Sequence, residues 1–497
     1  MTLRSIVACF LLLVLSLTVG CSAPEGNGDH TTDAGTESEA VQIQTRPTVA
    51  DNTAVDLDGR KIEILARNDG AEVEFENVRD GSLSILGEAV YRRNITVQTR
   101  LNCTLSFSYV NGTPDNAETY IKNATKDGKY DIFAAHNLVM PQLAIKGVCA
   151  DLIGLQLEET LDLSSPWWPN NLTETLAYGD SLYFCTGDIS TNYLSSLYGV
   201  YFNKDILKAN DIDPVSIYRI VENGVWTLEA LARYSATCAG DKDGEAYYGF
   251  ALGVNPEYVE AFYCAANFTP TSKNDDGTFS FDMTDKKLDE EKIFLKNLNG
   301  LFTAEGSSVS WSNASNGTAR FTSGHAAFTV SSMSYAKSIA GKFNYGIIPL
   351  PVSKVRTDTY LTPISDGYTF YAVRAKNVEN DASSAAVLQS LAATAYNSNF
   401  SAYYKGILGI EFNLDDPNVR MVENMKDNGC FEFFECWLSA YTSEDSGKIS
   451  NPSQLFASSV INSSATHIAE SNYVSLIEKY RPIYSEAFDE LIKQITE

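Results

Sequence analysis

Two apolar runs, set close together near the middle of the chain, constrain its fold more than any other feature. The first is Leu182 to Ser190 (LYFCTGDIS), which reads as a strand that breaks at Thr186-Gly187-Asp188. The second is Leu197 to Leu207 (LYGVYFNKDIL), an aromatic and β-branched run that ends at Asn203-Lys204-Asp205 and enters a helix. Two such strands in series can carry a chain from one α/β lobe into another.

The flanking sequence supplies units for both lobes. Arg60 to Ala66 (RKIEILA) reads as the first strand, and Arg67-Asn68-Asp69-Gly70 as the polar loop after it. Leu86, Ala89, Val90, Asn94, Val97 and Leu101 follow helical spacing, and Cys103, Leu105, Phe107 and Tyr109 then alternate as a strand. Tyr130 to Ala134 is a further buried strand, ending in Ala135-His136-Asn137. Trp226-Thr227 opens a helix, with Thr227 suited to its N-cap. Ala326 to Val330 and Tyr345 to Pro351 are expected strands. Val387, Leu388, Leu391, Ala392, Ala395 and Tyr396 mark a helix, and Ile468 to Ile495 another that is amphipathic. Cys430 to Trp437 (CFEFFECW) is too aromatic for a loop and is read as a crossing that brings Trp437 near a site.

Bulk properties narrow the function. The 497 residues suffice for two to four core-sized units. Acids outnumber bases 63 to 37, a net charge of −26, which argues against a nucleic-acid partner and suits an exported, soluble protein. Of nine cysteines, Cys9 and Cys21 lie in or at the end of the leader, and the other seven form no CxxC or zinc spacing. Cys430 and Cys436 are close enough in sequence to pair if the backbone folds back; the others read as small buried side chains. Four histidines without HxxxH or HExxH give no metal site, and no cofactor is expected. Asp241 to Glu245 resembles the start of a calcium loop, but position 252 is Leu where the bidentate acid belongs, so a surface turn is preferred.

The amino terminus reads as an export signal. Arg4 precedes an apolar run from Ile6 to Val19, shorter than the roughly 20 residues of a spanning helix. Its end, Leu17-Thr18-Val19-Gly20-Cys21, resembles a lipobox, departing from it at Thr18, and Cys21 would be the lipidated residue. Residues 1–20 are then a lipoprotein signal peptide. Residues 21–56, with little to bury, are a flexible tether.

Several stretches together resemble the family 1 extracellular solute-binding proteins of ABC importers, the group that includes maltose-binding protein. They are Tyr130-Asp131-Ile132-Phe133, AIKGVCADL at 144–152, Tyr201 to Asp205 and Trp226-Thr227-Leu228. Farther on come Phe321 to Phe328, Tyr345 to Pro351, Asp366-Gly367-Tyr368 and the helix from Ala382 to Tyr396. The resemblance implies a two-lobe α/β fold of the type 2 periplasmic-binding-protein kind, each lobe a mixed sheet flanked by helices, joined by a hinge. One lobe would take 57–185 with about 362–410, the other 186–361 with about 411–497. It also implies a lipid-anchored monomer on the outer face of the cell membrane, of a Gram-positive-type bacterium, that delivers a solute to permease subunits.

Candidate contacts follow from loops after strands and from the resemblance. Arg67 and Asn68 follow the first strand, and His136 and Asn137 the buried one. Asp188 lies past the first apolar run, where a carboxylate can accept sugar hydroxyls or serve as a turn residue. Trp311, in a polar loop, offers a ring face to a pyranose. Met333 and Tyr335 occupy a loop that lines the cleft in the family, and Asp366, Tyr368 and Trp437 complete the set. Trp226 is expected to pack its helix instead. A neutral mono- or oligosaccharide is the expected ligand. No GxSxG, P-loop or GxGxxG is present, so an enzyme is not expected. The alternatives are a binding lipoprotein serving a sensor kinase and a glycosidase with two carboxylates hidden among the acids.

Overall fold

The computed structural model describes residues 48–69, 72–75, 84–126, 128–156, 160–253, 256–310, 314–353, 359–409, 416–440 and 469–496. The signal peptide, Cys21, most of the tether, Trp311 and Ile468 lie outside the described residues. Among the described residues no helix is long and apolar enough to cross a membrane.

The first sheet grows from Arg60–Arg67 (β1), Cys103–Val110 (β2) and Ile132–His136 (β3). β1 pairs in parallel with β2, Arg60 opposite Cys103, and in parallel with β3, Ile64 opposite Ile132. All five residues of β3 are buried, as expected of a parallel strand covered on both faces. Helix Ile85–Arg100 joins β1 to β2. Ser84 Oγ accepts the Gly87 N–H at its start, and Leu86, Val90, Asn94 and Val97 form the buried stripe that the spacing predicts.

The second sheet holds Tyr198–Asn203 (β4), Gly240–Lys242 (β5), Glu245–Gly253 (β6), Ser307–Ser310 (β7), Ala326–Ser332 (β8) and Tyr345–Ile348 (β9). Its order is β9-β4-β8-β6-β5, with β7 also on β6. β4 runs antiparallel to β8 and β9, whereas β8 and β7 run parallel to β6. β5 and β6 form a hairpin whose two turn residues, Asp243 and Gly244, both have positive φ. The surface turn expected at Asp241 to Glu245 is this hairpin. Thr227 Oγ1 caps helix Leu228–Cys238, and Trp226 is buried with its Nε1–H on the Pro349 carbonyl, a packing role as expected.

Three short elements tie the sheets together: Thr362–Pro363 (β10), Thr369–Val373 (β11) and Gly429–Cys430 (β12). β11 returns to the first sheet, antiparallel to β3, with Thr369 opposite His136. Between the sheets the connecting stretches run side by side. Leu197 bridges to Ile364, the Ser365 N–H donates to the Ser196 carbonyl at 2.9 Å, and β10 pairs with β12.

The run at 182–190 corrects one expectation. It is not a ladder strand: Cys185 alone makes a bridge, to Tyr371. Its apolar side chains are apolar because Leu182, Phe184 and Cys185 are buried, not because a neighbouring strand repeats along them. The break at Gly187 is tight, since a Cβ there would lie 2.2 Å from the Trp167 carbonyl oxygen. The second run behaves as read, β4 passing directly into helix Lys204–Ala209 under an Asn203 cap. Cys430 and Cys436 are both free thiols, so their proximity in sequence does not become a disulfide.

Helix Val378–Tyr403 is buried around most of its circumference, covering the first sheet beside helix Ile85–Arg100. The carboxyl-terminal helix Ala469–Thr496 lies against helix Asp285–Thr303, where Tyr473 donates to the buried Glu291 carboxylate.

Candidate functional site

In open α/β sheets a ligand sits beyond the carboxyl ends of the strands, where loops diverge and backbone groups are free. Here the carboxyl ends of both sheets face one hollow of about 160 Å³. Asn137 and Leu138, just past β3, line it from the first sheet. Tyr198, opposite Ser332 at the end of β8, lines it from the second. The connecting stretches form the floor through Pro363 to Asp366 and Cys430 to Glu432, and helix Pro256–Ala265 supplies Glu257, Glu260 and Cys264. A larger hollow of about 650 Å³, lined by Asn203, Asp205, Lys242 and Phe343 among others, sits at the opposite end of the second sheet and touches that sheet alone. Its remoteness from the first sheet makes it the weaker candidate despite its size.

The floor is held rigidly from behind. The Asn137 side-chain amide donates to Asp366 Oδ1 at 2.8 Å, and its carbonyl oxygen accepts the Gly367 N–H at 3.0 Å. Arg67 is buried, with Nη1 donating to the Gly367 and Tyr368 carbonyls at 2.8 Å each and Nε bonded to Asp69. Such a fork fixes the backbone that presents Asp366. Tyr368 stacks on Phe431 with ring centroids 5.0 Å apart. The Tyr198 hydroxyl donates to Glu257 at 3.0 Å.

Charge is one-sided. Glu257, Glu260, Asp366, Glu432 and Glu435 all line the cavity, and no Lys, Arg or His is among its described lining residues. Burial pushes Glu260 up to about 8, with Glu435, Asp366 and Glu257 adding repulsion. Burial and then Glu435 raise Glu432 to about 8, against a hydrogen bond from Thr271. Asp366 is also raised by burial, opposed by the Asn137 amide. The Cys430 thiol is pushed up to about 12 and Cys264 well above its ordinary value, so neither is a ready nucleophile. Among the described residues no group of three or more His, Cys, Asp or Glu side chains is arranged to hold a metal ion.

The structure therefore brings Asn137, Asp366 and Tyr368 to the cavity and sends other anticipated residues elsewhere. Arg67 acts behind the floor, and Asn68 is exposed beside it with its N–H on the Val110 carbonyl. His136 is buried at the end of β3; its Nδ1 accepts the Leu138 N–H, and burial, then Arg67, lowers its pKa to about 4, leaving it neutral. Asp188 is buried in an ion pair with Lys426 at 3.0 Å. Met333 is fully buried, and Tyr335 packs edge-on against Tyr201. Trp437 is buried against Phe184, behind the cavity wall that Cys436 forms. Glu257, Glu260 and Cys264 were missed. Their signal was present: three polar or polarisable side chains at i, i+3 and i+7 on one face of the otherwise apolar PEYVEAFYCA.

Comparison with known proteins places this geometry. The sequence pattern of the family described as "Bacterial extracellular solute-binding protein" matches residues 103–397. No curated protein is similar enough to count as a match. Among solved structures, the sugar-binding protein MalE from the phytopathogen Xanthomonas citri superposes with a TM-score of 0.57 at 13% identity, over 86% of this chain and 98% of that one. The cyclic alpha-maltosyl-1,6-maltose binding protein from Arthrobacter globiformis gives 0.52 at 15% identity, over 88% and 97%. UgpB from Mycobacterium tuberculosis, solved in complex with glycerophosphocholine, gives 0.53 at 13% identity, over 87% and 99%. These likenesses show a two-lobe binding-protein fold.

Proposed function

Because the chain belongs to the bacterial extracellular solute-binding proteins, we propose that it captures a carbohydrate without negative charge and hands it unchanged to an ABC permease. The observation that carries this reading is the cavity at the carboxyl ends of both sheets, floored by the stretches that connect them. A solute there touches both sides, and it stabilises a closed arrangement by its differential affinity for closed over open. Carboxylates and amides suit hydroxyl donors, the ring of Tyr198 or Phe431 suits a sugar face, and the lack of lining cations disfavours acids. A volume of about 160 Å³ is below the ~300–1,000 Å³ typical of larger ligands, which favours one sugar ring or the end ring of a longer chain. No step of this cycle needs covalent chemistry, so the chain is a binder and not an enzyme.

Under the same reading, 1–20 is the signal peptide, Cys21 the lipid anchor on the outer face of the membrane, and 21–56 the tether. The first lobe takes 57–185 and about 362–410, the second 186–361 and about 411–497, and the protein works as a monomer. Thermal-shift screening against monosaccharides, oligosaccharides, uronides and peptides tests the ligand class. At a hundredfold excess over Kd a true ligand stabilises by about 2.7 kcal/mol. Stabilisation by uronides alone would overturn the absence of negative charge, and stabilisation by peptides alone would overturn the carbohydrate assignment. Mass spectrometry of membrane-extracted protein tests the anchor, and an unmodified Cys21 would remove it.

A further inference from the structure

Resting on the reading of the interlobar cavity as the solute site, we infer that its specificity is for a solute carrying a positive charge, a protonated amine or quaternary ammonium beside hydroxyl groups. The site is defined by its place between the two sheets, independently of its charge, and the carboxylates are what that place contains. They arrive from separate parts of the chain: Glu257 and Glu260 from helix Pro256–Ala265, Asp366 from the stretch before β11, and Glu432 and Glu435 from the stretch after β12.

Several of the five are already committed. Asp366 holds Asn137, Glu257 holds Tyr198, and Glu432 holds Thr271 and the Glu435 N–H. Glu260 differs, for it lines the cavity and has neither a hydrogen bond nor an ion pair among the described residues. A half-buried carboxylate facing three others is unfavourable unless it holds a proton or meets a cation. The aromatic groups beside it serve the second outcome. Tyr198, Tyr368 and Phe431 also line the cavity, and aromatic rings attract ammonium groups most when both are desolvated. A sugar acid would add negative charge to a cavity whose carboxylates already repel one another, and an uncharged sugar would leave Glu260 without a counterion.

Proton linkage separates the cases. The groups facing Glu260 are Glu257 on its own helix, Asp366 on the floor, and Glu435 on the opposite wall. The uncharged thiols of Cys264, Cys430 and Cys436 share the lining. A permanent cation such as choline that binds ionised Glu260 expels its proton, so its affinity rises with pH from 6 to 9; glucosamine loses its own ammonium proton across that range and is charged only at the lower pH, and an uncharged sugar expels none.

The test is calorimetric titration of the full chain with glucosamine, choline, glucose and glucuronate, at pH 6 and 9 and in two buffers of different ionisation enthalpy. At pH 6, where its amine is protonated, glucosamine binding at least tenfold tighter than glucose with proton release, a choline affinity that rises toward pH 9, and a loss of both in Glu260→Gln are the expected result. A melting curve for the variant shows that it is folded. Glucose binding as tightly as glucosamine, or no loss in Glu260→Gln, overturns the inference and leaves the carbohydrate reading standing. Choline binding without any sugar keeps the cation and overturns the carbohydrate. Failure of all four probes to bind overturns both.

Discussion

Lys426 and Asp188 form a buried ion pair, and breaking it has a calculable cost. Nζ of Lys426 lies 3.0 Å from Asp188 Oδ2, with side-chain exposures of 0% and 2%, and also 2.9 Å from the exposed Asp427 carboxylate. The ammonium sits over the Tyr396 ring at 5.4 Å. Asp188 belongs to the stretch between the sheets, whereas Lys426 is on helix Pro417–Asp427, packed on β9 of the second sheet. Replacing Lys426 by Met fills similar space but leaves Asp188 buried without its cation. That situation costs about 3–5 kcal/mol, more than the pair itself contributes, because the remaining charge stays desolvated. With 497 residues at about 2.1 cal/mol/K each, the unfolding entropy is about 1 kcal/mol/K, so the melting temperature should fall by about 3–5 °C. The double variant Lys426→Met with Asp188→Asn removes both charges and should recover most of the loss. Calorimetric melting of the three proteins reads this directly. A single variant that melts within 1 °C of the parent, or a double variant no better than the single, would refute loss of the Lys426 charge beside Asp188 as the cause.

Further outcomes follow from other residues. The His136 imidazole is depressed to about 4 from an ordinary 6.5, so the folded chain binds fewer protons than the unfolded one between those values. Its contribution, at most about 3 kcal/mol, is therefore full above pH 6.5 and lost as pH falls toward 4. His136→Asn should flatten that slope in urea titrations at pH 4.5 and 7.5, and an unchanged slope would show that another group sets it. Arg67→Lys keeps a cation near Asp69 but cannot reach both the Gly367 and Tyr368 carbonyls, so a loss of about 2 kcal/mol is expected in the same assay. Trp311→Ala should weaken solute binding about tenfold, the value of losing one stacked ring; equal affinity in the titration would take Trp311 out of the site.

Local pattern made the scaffold readable, and long-range partners decided the site. β1, β2, β3 and β4 were legible because alternation or a short apolar run between polar breaks is a property of a few adjacent residues. The run at 182–190 looked the same and became an extended, buried connection, since apolarity reports burial and says nothing about who supplies hydrogen bonds. Asn137, Asp366 and Tyr368 could be proposed from their positions after or before strands. Arg67 occupies an equivalent position, yet its partners lie about 300 residues on, at Gly367 and Tyr368, and turn it into a support. Asp188 likewise meets a lysine 238 residues away. Glu257 and Glu260 escaped notice because a helix rich in Tyr, Phe, Val and Ala reads as core, although the acids share one face.

The acidic cavity and the hinge are one construction, and this has a consequence for the empty protein. Glu257 and Glu260 ride on a helix beside the second sheet, whereas Asp366 is clamped to the first through Asn137 and Arg67. Drawing the sheets together without a solute brings like charges toward one another. At an effective dielectric of about 20, one such pair at about 6 Å repels by about 3 kcal/mol. Moving a two-state clamp from 1:99 to 99:1 takes about 5.5 kcal/mol, so two such pairs suffice to hold the empty clamp open, and a cation that cancels them suffices to close it. Salt should act in the same direction, since the screening length falls from about 30 Å at 0.01 M to about 3 Å at 1 M. Small-angle scattering of the full chain at pH 9, where Glu260 is ionised, should therefore show a smaller radius of gyration in 1 M sodium chloride than in 0.01 M, with Glu260→Gln already compact at low salt. A radius indifferent to both salt and that substitution would mean that repulsion across the cavity does not set the resting state.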